Sequence, residues 1–121
     1  MKSINITQKF GEFDQHWHPH QIAEVDDMQV CIAKIQGAFV WHQHDDEDEL
    51  FQVIKGTLLM QFKDKTVPVK TGELIVVPKG VAHCPKTLNN EEVHVLLFER
   101  KTVAHTGAVI DKKTVTNYPK I

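Results

Sequence analysis

The sequence predicts an all-β fold, a barrel or sandwich of short antiparallel strands with little helix. The first observation is that no window of about 11 residues places apolar side chains at i, i+3, i+4 and i+7 between recognisable caps. The second is the recurrence of short runs rich in β-branched and aromatic residues. The third is that glycine, proline, asparagine or aspartate separates these runs, a spacing typical of β-sandwiches and small barrels.

Seven runs are predicted to be strands, and each is short enough for a strand of a small barrel. Three of them directly follow a glycine, at Gly37, Gly56 and Gly72, where a tight turn is expected. In chain order the predicted strands are 28–36, 38–44, 49–54, 57–63, 66–70, 73–78 and 93–100.

The domain organisation follows from the same pattern. The 121 residues contain no internal repeat, low-complexity segment or linker, and this length suits one hydrophobic core. We therefore predict a single domain over residues 1–121. It would consist of an N-terminal strap at 1–27, a barrel core at 28–100 and a C-terminal tail at 101–121.

Composition and charge limit the expected partners. A net charge of −2 and a pI near 6.4 disfavour nucleic acids and anionic membranes, which would require a basic face. The N-terminus lacks the apolar region of a signal peptide, and no apolar run approaches the roughly 20 residues of a membrane span. Cys31 and Cys84 are too few for a disulfide framework. The expectation is a soluble cytoplasmic protein with two free thiols.

Alternate residues of a strand face opposite ways, which divides the predicted second strand between two faces. His42 and His44 share one face, and Phe39 and Trp41 share the other. An outward face carrying Phe39, Trp41 and Leu50 would leave apolar area in water unless something covered it. The simplest cover is a second copy of the chain, so we predict a homodimer.

Three histidines and one glutamate can meet at one point inside such a barrel. His42 and His44 aim both imidazoles the same way, and Glu49 begins the next strand across an acidic turn. His83 lies far along the chain, after a Pro-x-Gly turn. This nitrogen and oxygen set suits one divalent Fe, Mn, Ni, Cu, Co or Zn ion, and it would leave positions open to a substrate or dioxygen.

Two motifs in this region resemble those of the cupin superfamily, and their relative spacing matches as well. The first contains Gly37, His42-x-His44, Glu49 and Gly56, and the second contains Gly72, Pro78-x-Gly80 and His83. Two positions depart from the usual motifs. Gly37 stands one residue closer to His42, and Thr87 occupies the place of an asparagine that often ends the second motif.

The resemblance implies a cupin β-barrel of the jelly-roll type, in which His42, His44, Glu49 and His83 bind the metal ion. The whole chain is also similar to a group of small single-domain bacterial cupins, whose members often carry a mannose-6-phosphate-isomerase-like label. The features that it shares with this group are Trp17-His18-Pro19, the run from Trp41 to Phe51, the run from Val77 to His83, and Thr106-Gly107.

The oxygen ligand has a competitor in Asp48, the residue before Glu49 in a run of five acidic residues. A tighter turn would select Asp48. The interval to Gly56 and a face shared with Phe51 favour Glu49. The other four acidic residues are predicted to form a solvated turn.

A second histidine group, His16, His18 and His20, would be able to chelate a metal from an extended chain. We favour the competing hypothesis, in which Trp17 packs on the barrel and the histidines remain in water. Cys84 directly follows a predicted ligand, but neighbours on a strand point opposite ways. A buried, unreactive thiol is therefore predicted there.

The predicted function is that of a metal-dependent enzyme acting on a small polar molecule, either a dioxygenase or a sugar isomerase or epimerase. Glu49 or a metal-bound water would act as the base in the isomerase version. Phe51 and Met60 would line the substrate pocket. The alternative is a non-catalytic barrel that binds or senses a small ligand.

Overall fold

The computed structural model describes residues 1–121 and confirms the predicted all-β fold. All pairings between two regular strands are antiparallel. The elements in chain order are α1 (Ile6–Phe10), β1 (His20–Val25), β2 (Met28–Ile35), β3 (Glu49–Lys55), β4 (Thr57–Phe62), β5 (Thr66–Lys70), β6 (Leu74–Val77), β7 (His83–Thr87), a single 3-10 turn (Leu88–Asn90) and β8 (Val93–Arg100).

Two sheets face each other across the core. One has five strands in the order β1-β2-β8-β3-β6, and the other has three in the order β5-β4-β7. Alternate residues of β3 and β8 are buried between the sheets, as the alternation of a half-buried strand requires. Val53, Leu58, Met60 and Val93 lie at the centre of this core with no exposed surface.

The run 38–44 is not a regular strand, so that part of the strand prediction is wrong. It makes only isolated bridges to β7, at Ala38 and at His42, and the two bridges are one residue out of register. Pro85 lies in β7 between their partners and has no backbone N–H to donate. A continuous ladder is therefore interrupted where the sequence pattern predicted one.

Two strands were not predicted, and both lack a run of apolar residues. β1 lies within the segment 1–27 that was predicted to be a strap, and it pairs with β2. β7 contains the sequence HCPKT and pairs with β4. Neither segment has strong strand propensity, so pairing with a neighbouring strand imposes the extended conformation on both.

A short helix covers one outer patch of the five-stranded sheet. The side chain of Asn5 caps α1 by accepting a hydrogen bond from the backbone N–H of Gln8 at 2.9 Å. Phe10 and Phe13 then pack against Ile32 on the sheet. No helix in the chain has the length and apolar character needed to cross a membrane.

The C-terminal tail, residues 101–121, closes one end of the barrel and is tied down at both ends. Near the chain end, Gln21 of β1 donates its N–H to Pro119 at 2.8 Å, and the N–H of Ile121 donates to Gln21 at 3.0 Å. Earlier in the tail, Gly107 has φ +60° and lies so close to Gln43 that a Cβ atom would collide with its carbonyl oxygen. Only glycine fits at that contact.

Candidate metal centre

Four buried side chains converge on one point of the structure: His42, His44, Glu49 and His83. Their nearest ligand atoms all lie within 4.8 Å of one another. His44 Nε2 lies 3.5 Å from Glu49 Oε1, and His83 Nε2 lies 3.8 Å from the same oxygen. The structure therefore brings together the four residues that the sequence predicted as ligands.

Backbone pairing and two carbonyl groups orient the rings. The backbones of His42 and His83 exchange hydrogen bonds of 3.0 and 2.9 Å, which joins the two motifs directly. His42 Nδ1 donates to the carbonyl oxygen of Val40, and His83 Nδ1 donates to that of Val81, both at 2.9 Å. A carbonyl oxygen only accepts, so the proton of each neutral ring sits on Nδ1. Nε2 then keeps its lone pair for a ligand bond.

Two of these ring nitrogens have no hydrogen-bond partner. Nε2 of His44 and Nε2 of His83 are fully buried and form no hydrogen bond. A buried polar atom left in this state is costly unless another group satisfies it. A divalent transition metal ion beside Glu49 would satisfy both atoms, so this set of donors fits the ion that was predicted.

Charges in the cluster favour ligand binding as well. Burial tends to raise the pKa of Glu49, but the neighbouring side chains of Glu99, His44 and His83 outweigh it and hold the pKa well below 4.5. Burial, with the neighbouring His83, lowers the pKa of His42 to about 4. Glu49 is therefore a carboxylate near neutral pH and His42 is a neutral imidazole, the forms in which each binds a metal ion.

Glu99 is a buried carboxyl group next to the cluster that the sequence prediction missed. It is 0% exposed and pairs with Glu49 across the β3–β8 ladder. Burial, followed by the charge of Glu49, raises its pKa well above 4.5, which favours the neutral acid form of Glu99, and its Oε2 is buried without a hydrogen-bond partner. Gln29 donates to Glu99 Oε1 at 3.3 Å, and Gln21 donates to Gln29 at 3.0 Å.

A sequence signal for Glu99 does exist in the alternation of β8. Val93, Val95 and Leu97 are buried, and Glu99 continues the same inward face. An acidic residue at a core-facing strand position is unusual and normally needs a partner. Sequence alone gives no partner, because Glu49 belongs to another strand.

The competition between Asp48 and Glu49 ends in favour of Glu49 as the inward-facing residue. Asp48 is exposed, and its Oδ1 accepts a 2.9 Å hydrogen bond from the backbone N–H of Lys79. Its side chain thus braces the turn before β7 and does not enter the cluster. Asp45 and Asp46 are exposed, consistent with a solvated turn.

The N-terminal histidines form no second cluster. His16 Nε2 bonds to Glu92 at 2.7 Å, and His20 Nδ1 donates to the carbonyl of His18 at 2.7 Å. Trp17 packs into the core as predicted. The expectation that all three histidines stay in water is wrong, because His20 is only 4% exposed. It opens β1 and is buried by the fold.

A cavity of about 40 Å³ is lined by two of the four proposed ligands, His42 and Glu49. Phe51 lines it, whereas Met60 packs in the core away from its wall. Phe39 also lines it, although the strand prediction placed Phe39 on the face opposite His42. The irregular backbone of 38–44 turns both side chains inward. The lining residues are Trp17, Pro19, Ala33, Ile35, Phe39, His42, Glu49, Phe51, Pro85, Val95, Leu97, His105 and Tyr118.

The tail contributes two residues to this cavity that no sequence pattern singled out. His105 and Tyr118 both line it. The backbone N–H of Val115 donates to His105 Nδ1 at 3.0 Å, which fixes the ring within the tail. The predicted tail is thus a wall of the site as well as a closure of the barrel.

Both cysteines are free and buried, as predicted. Cys84 is 3% exposed and Cys31 is 0% exposed. Burial raises the pKa of each thiol above its usual value. Neither thiol therefore has the exposed, acidic character of a reactive cysteine.

Comparison with known sequences identifies a family. The family model described as a cupin domain matches residues 28–99. The chain is also similar to the uncharacterized protein YdbB of Bacillus subtilis (strain 168). The two are 46% identical over 83 residues, which span 68% of this chain and 74% of YdbB.

Solved structures agree with this assignment. A cupin-2 domain containing protein from Shewanella frigidimarina is 44% identical, covers 81% of this chain and 94% of its own, and superposes with a TM-score of 0.79. Protein NMB1881 from Neisseria meningitidis is 28% identical and covers 83% of this chain and 100% of its own, with a TM-score of 0.74. KdgF from Halomonas sp. is 20% identical with a TM-score of 0.59, covers 69% of this chain and 79% of its own, and shares the fold alone.

Proposed function

The chain belongs to the cupin domain family, and from that premise we propose that His42, His44, Glu49 and His83 bind one divalent transition metal ion. The observation that carries the proposal is the pair of buried Nε2 atoms, on His44 and His83, that face a carboxylate and have no other partner. Nitrogen and oxygen donors of this kind suit Fe, Mn, Co, Ni, Cu or Zn.

The activity that this site supports best is metal-dependent catalysis on a small molecule, of a dioxygenase or an isomerase type. Four protein ligands leave coordination positions free, and a bound ion would supply Lewis-acid or redox chemistry there. The chain's own residues have separate tasks. The carbonyls of Val40 and Val81 hold two rings in place, and Glu99 lies opposite Glu49 on the neighbouring strand.

Proton transfer in the isomerase version depends on Glu49. It is the single carboxylate among the residues that line the cavity, and this supports Glu49 as the group that would accept a proton from a bound substrate. Apolar and aromatic side chains make up most of the cavity wall, and the low polarity of such a wall strengthens the electrostatic interactions beside it.

A non-catalytic cupin that binds a small ligand is the second candidate. The observation that favours it is the sparse set of proton-transfer groups in the cavity. Apart from the proposed ligands His42 and Glu49, the lining offers only His105 and Tyr118. Such a protein would bind its ligand through the same metal ion and release it unchanged.

We also propose that the chain forms a homodimer. The outer surface of the five-stranded sheet leaves Leu74 55% exposed and Val76 47% exposed, both on the edge strand β6. Trp41 is a third exposed apolar side chain, with 39% of its surface accessible, and Lys63 Nζ lies 3.9 Å from the centroid of its ring. Sedimentation analysis of the chain and of a Leu74→Lys, Val76→Lys variant tests this, since a monomeric parent protein would contradict it.

Elemental analysis of the purified protein tests the metal site. We expect about one transition metal ion per chain in the parent protein and loss of that ion in His42→Ala and His83→Ala. Equal metal content in all three would overturn the proposal. Oxygen uptake by the Fe(II)-loaded protein then tests the dioxygenase type. Solvent proton exchange into candidate substrates tests the isomerase type, and tight binding without turnover would favour the second candidate.

A further inference from the structure

The cavity beside the proposed metal site has a largely apolar wall. His42 and Glu49 are the proposed ligands in its lining, His105 and Tyr118 are the other two polar residues, and the rest of the wall is apolar or aromatic. The 13 lining residues include no lysine and no arginine. A ligand in this cavity would therefore meet the metal ion beside His42 and Glu49, and mainly hydrocarbon surface over the rest of the wall.

Aromatic rings lie directly against the proposed ligands. Phe39 meets His42 edge-on with ring centroids 5.4 Å apart, and Phe51 meets His83 in the same way at 6.4 Å. Trp17 stacks on Phe39 at 4.6 Å. The indole N–H of Trp17 donates outward to the carbonyl of Gln36 at 3.0 Å, so its ring presents only an apolar face to the cavity.

The two polar residues that the tail adds to the wall carry no positive charge. The N–H of Val115 occupies Nδ1 of His105, and burial lowers the pKa of this histidine to about 4. Burial likewise raises the pKa of Tyr118, which stays a neutral phenol. A phosphate group needs arginine, lysine or several backbone donors, and the cavity wall offers no such cation.

We propose that the molecule bound at this site is compact and largely apolar, neutral or singly charged, with oxygen atoms at one end that reach the metal ion. This inference rests on the proposed function, because it takes the metal ion as the anchor for the oxygen end. The cavity volume of about 40 Å³ corresponds to about three water molecules, which limits the size of the ligand. Phosphorylated sugars do not fit this description.

A matched pair of metal-binding probes tests the inference. Propanohydroxamate and glycolohydroxamate share one head group and differ by a methyl against a hydroxyl. They are titrated into the Zn(II)-loaded Trp41→Phe variant. The sequence contains 2 tryptophans, so Trp17 is the one that remains in this variant. Fluorescence of Trp17 and calorimetry report binding, and zinc content is measured before and after. We expect propanohydroxamate to bind about tenfold more tightly. Burial of its methyl group against the apolar wall is favourable, whereas burial of the glycolohydroxamate hydroxyl without a hydrogen bond is unfavourable.

A variant of the wall provides the control. Phe39 is half-buried on an irregular segment, so Phe39→Ser is expected to fold and retain zinc while losing most of the preference for propanohydroxamate. Equal affinities for the two probes in the parent protein would overturn the inference and leave the metal site standing. Failure of the protein to hold zinc at all would instead overturn the proposed function.

Discussion

Two groups of alternating histidines occur in this chain, and only one of them converges. His42 and His44 are two residues apart, as are His16 and His18. The first pair converges with His83 on one carboxylate, and His44 Nε2 lies 3.5 Å from Glu49 Oε1. In the second pair, His16 Nε2 forms a hydrogen bond with Glu92 at the surface. Alternation alone therefore does not make a ligand pair.

Backbone geometry explains the difference. Trp17, between His16 and His18, has φ +56°, in the left-handed region that non-glycine residues seldom adopt. Alternation of side chains fails across such a residue, so the two histidines do not share a face. The segment holding His42 is instead fixed against β7 by two backbone hydrogen bonds to His83. Pairing with β7, which is distant in the sequence, therefore distinguishes the histidine pair that joins the cluster from the pair that does not.

Removing one histidine from each group should give the largest contrast. His44→Ala removes a proposed ligand, so we expect its affinity for Zn(II) to fall by more than about a hundredfold, beyond the loss typical of outer-shell partners. His18→Ala should leave the affinity unchanged, because His18 lies outside the cluster. Competition with a chromophoric chelator measures both constants. A similar loss in the two variants would contradict the contrast drawn between the groups.

The C-terminal tail contacts the segment that carries His42 and His44, because Gly107 packs against the backbone of Gln43. A substitution at this glycine tests whether the contact supports metal binding. Gly107→Ala places a Cβ against the carbonyl of Gln43, between the two histidines, and adds the strain of φ +60°. We expect a loss of about 2–4 kcal/mol in the free energy of unfolding and weaker metal binding.

Gly72→Ala is the matched control for that substitution. Its φ is +85°, but nothing lies within 4 Å of the added Cβ, so only the backbone strain remains. We expect a loss of about 1–2 kcal/mol with metal binding retained. Chemical denaturation and zinc titration of both variants make the measurement. Equal behaviour would mean that the contact with Gln43 does not hold the site.

Glu92, the partner of His16, should make the stability of the fold depend slightly on pH, whether or not metal is bound. Hydrogen bonds from His16 and His94 lower the pKa of Glu92 from 4.5 to about 2. A lowered carboxyl pKa stabilises the fold above pH 4.5, and that stabilisation is lost as the pH falls toward 2. Since the Glu92 side chain is 44% exposed, solvent screening keeps the effect below about 1 kcal/mol.

Thermal denaturation of the parent protein and of Glu92→Gln measures that effect between pH 6 and pH 2.5. The difference in stability should shrink as the pH falls. A difference that stays constant or grows toward low pH would show that the hydrogen bonds of His16 and His94 do not depend on the charge of Glu92.

Much of the fold and the cluster was predictable because the relevant signals are local. Alternation placed Glu49 and Phe51 on the inward face of β3, and turn residues marked most strand ends. The strand prediction for residues 38–44 failed because their conformation depends on pairing with a distant strand, β7. Pro85 interrupts the pairing of 38–44, and this is why Phe39 faces the cavity beside His42 instead of pointing away.

The two departures from the usual cupin motifs also have a tertiary explanation. Gly37 and Thr87 contact each other, because the N–H of Gly37 donates to the Thr87 hydroxyl at 2.9 Å and the N–H of Thr87 donates back to the Gly37 carbonyl at 2.9 Å. Sequence comparison shows them as separate deviations. In the structure they are one paired feature that joins the start of the first motif to the end of the second.

The sequence by itself determined the β class, the family and the identity of the four converging residues, since strand period and motif spacing are properties of the chain. Only the tertiary structure decided what surrounds them. Glu99 reaches Glu49 by strand pairing, and His105 and Tyr118 reach the cavity because the tail folds back over the barrel. Those contacts join residues far apart in the chain, and no local period encodes them.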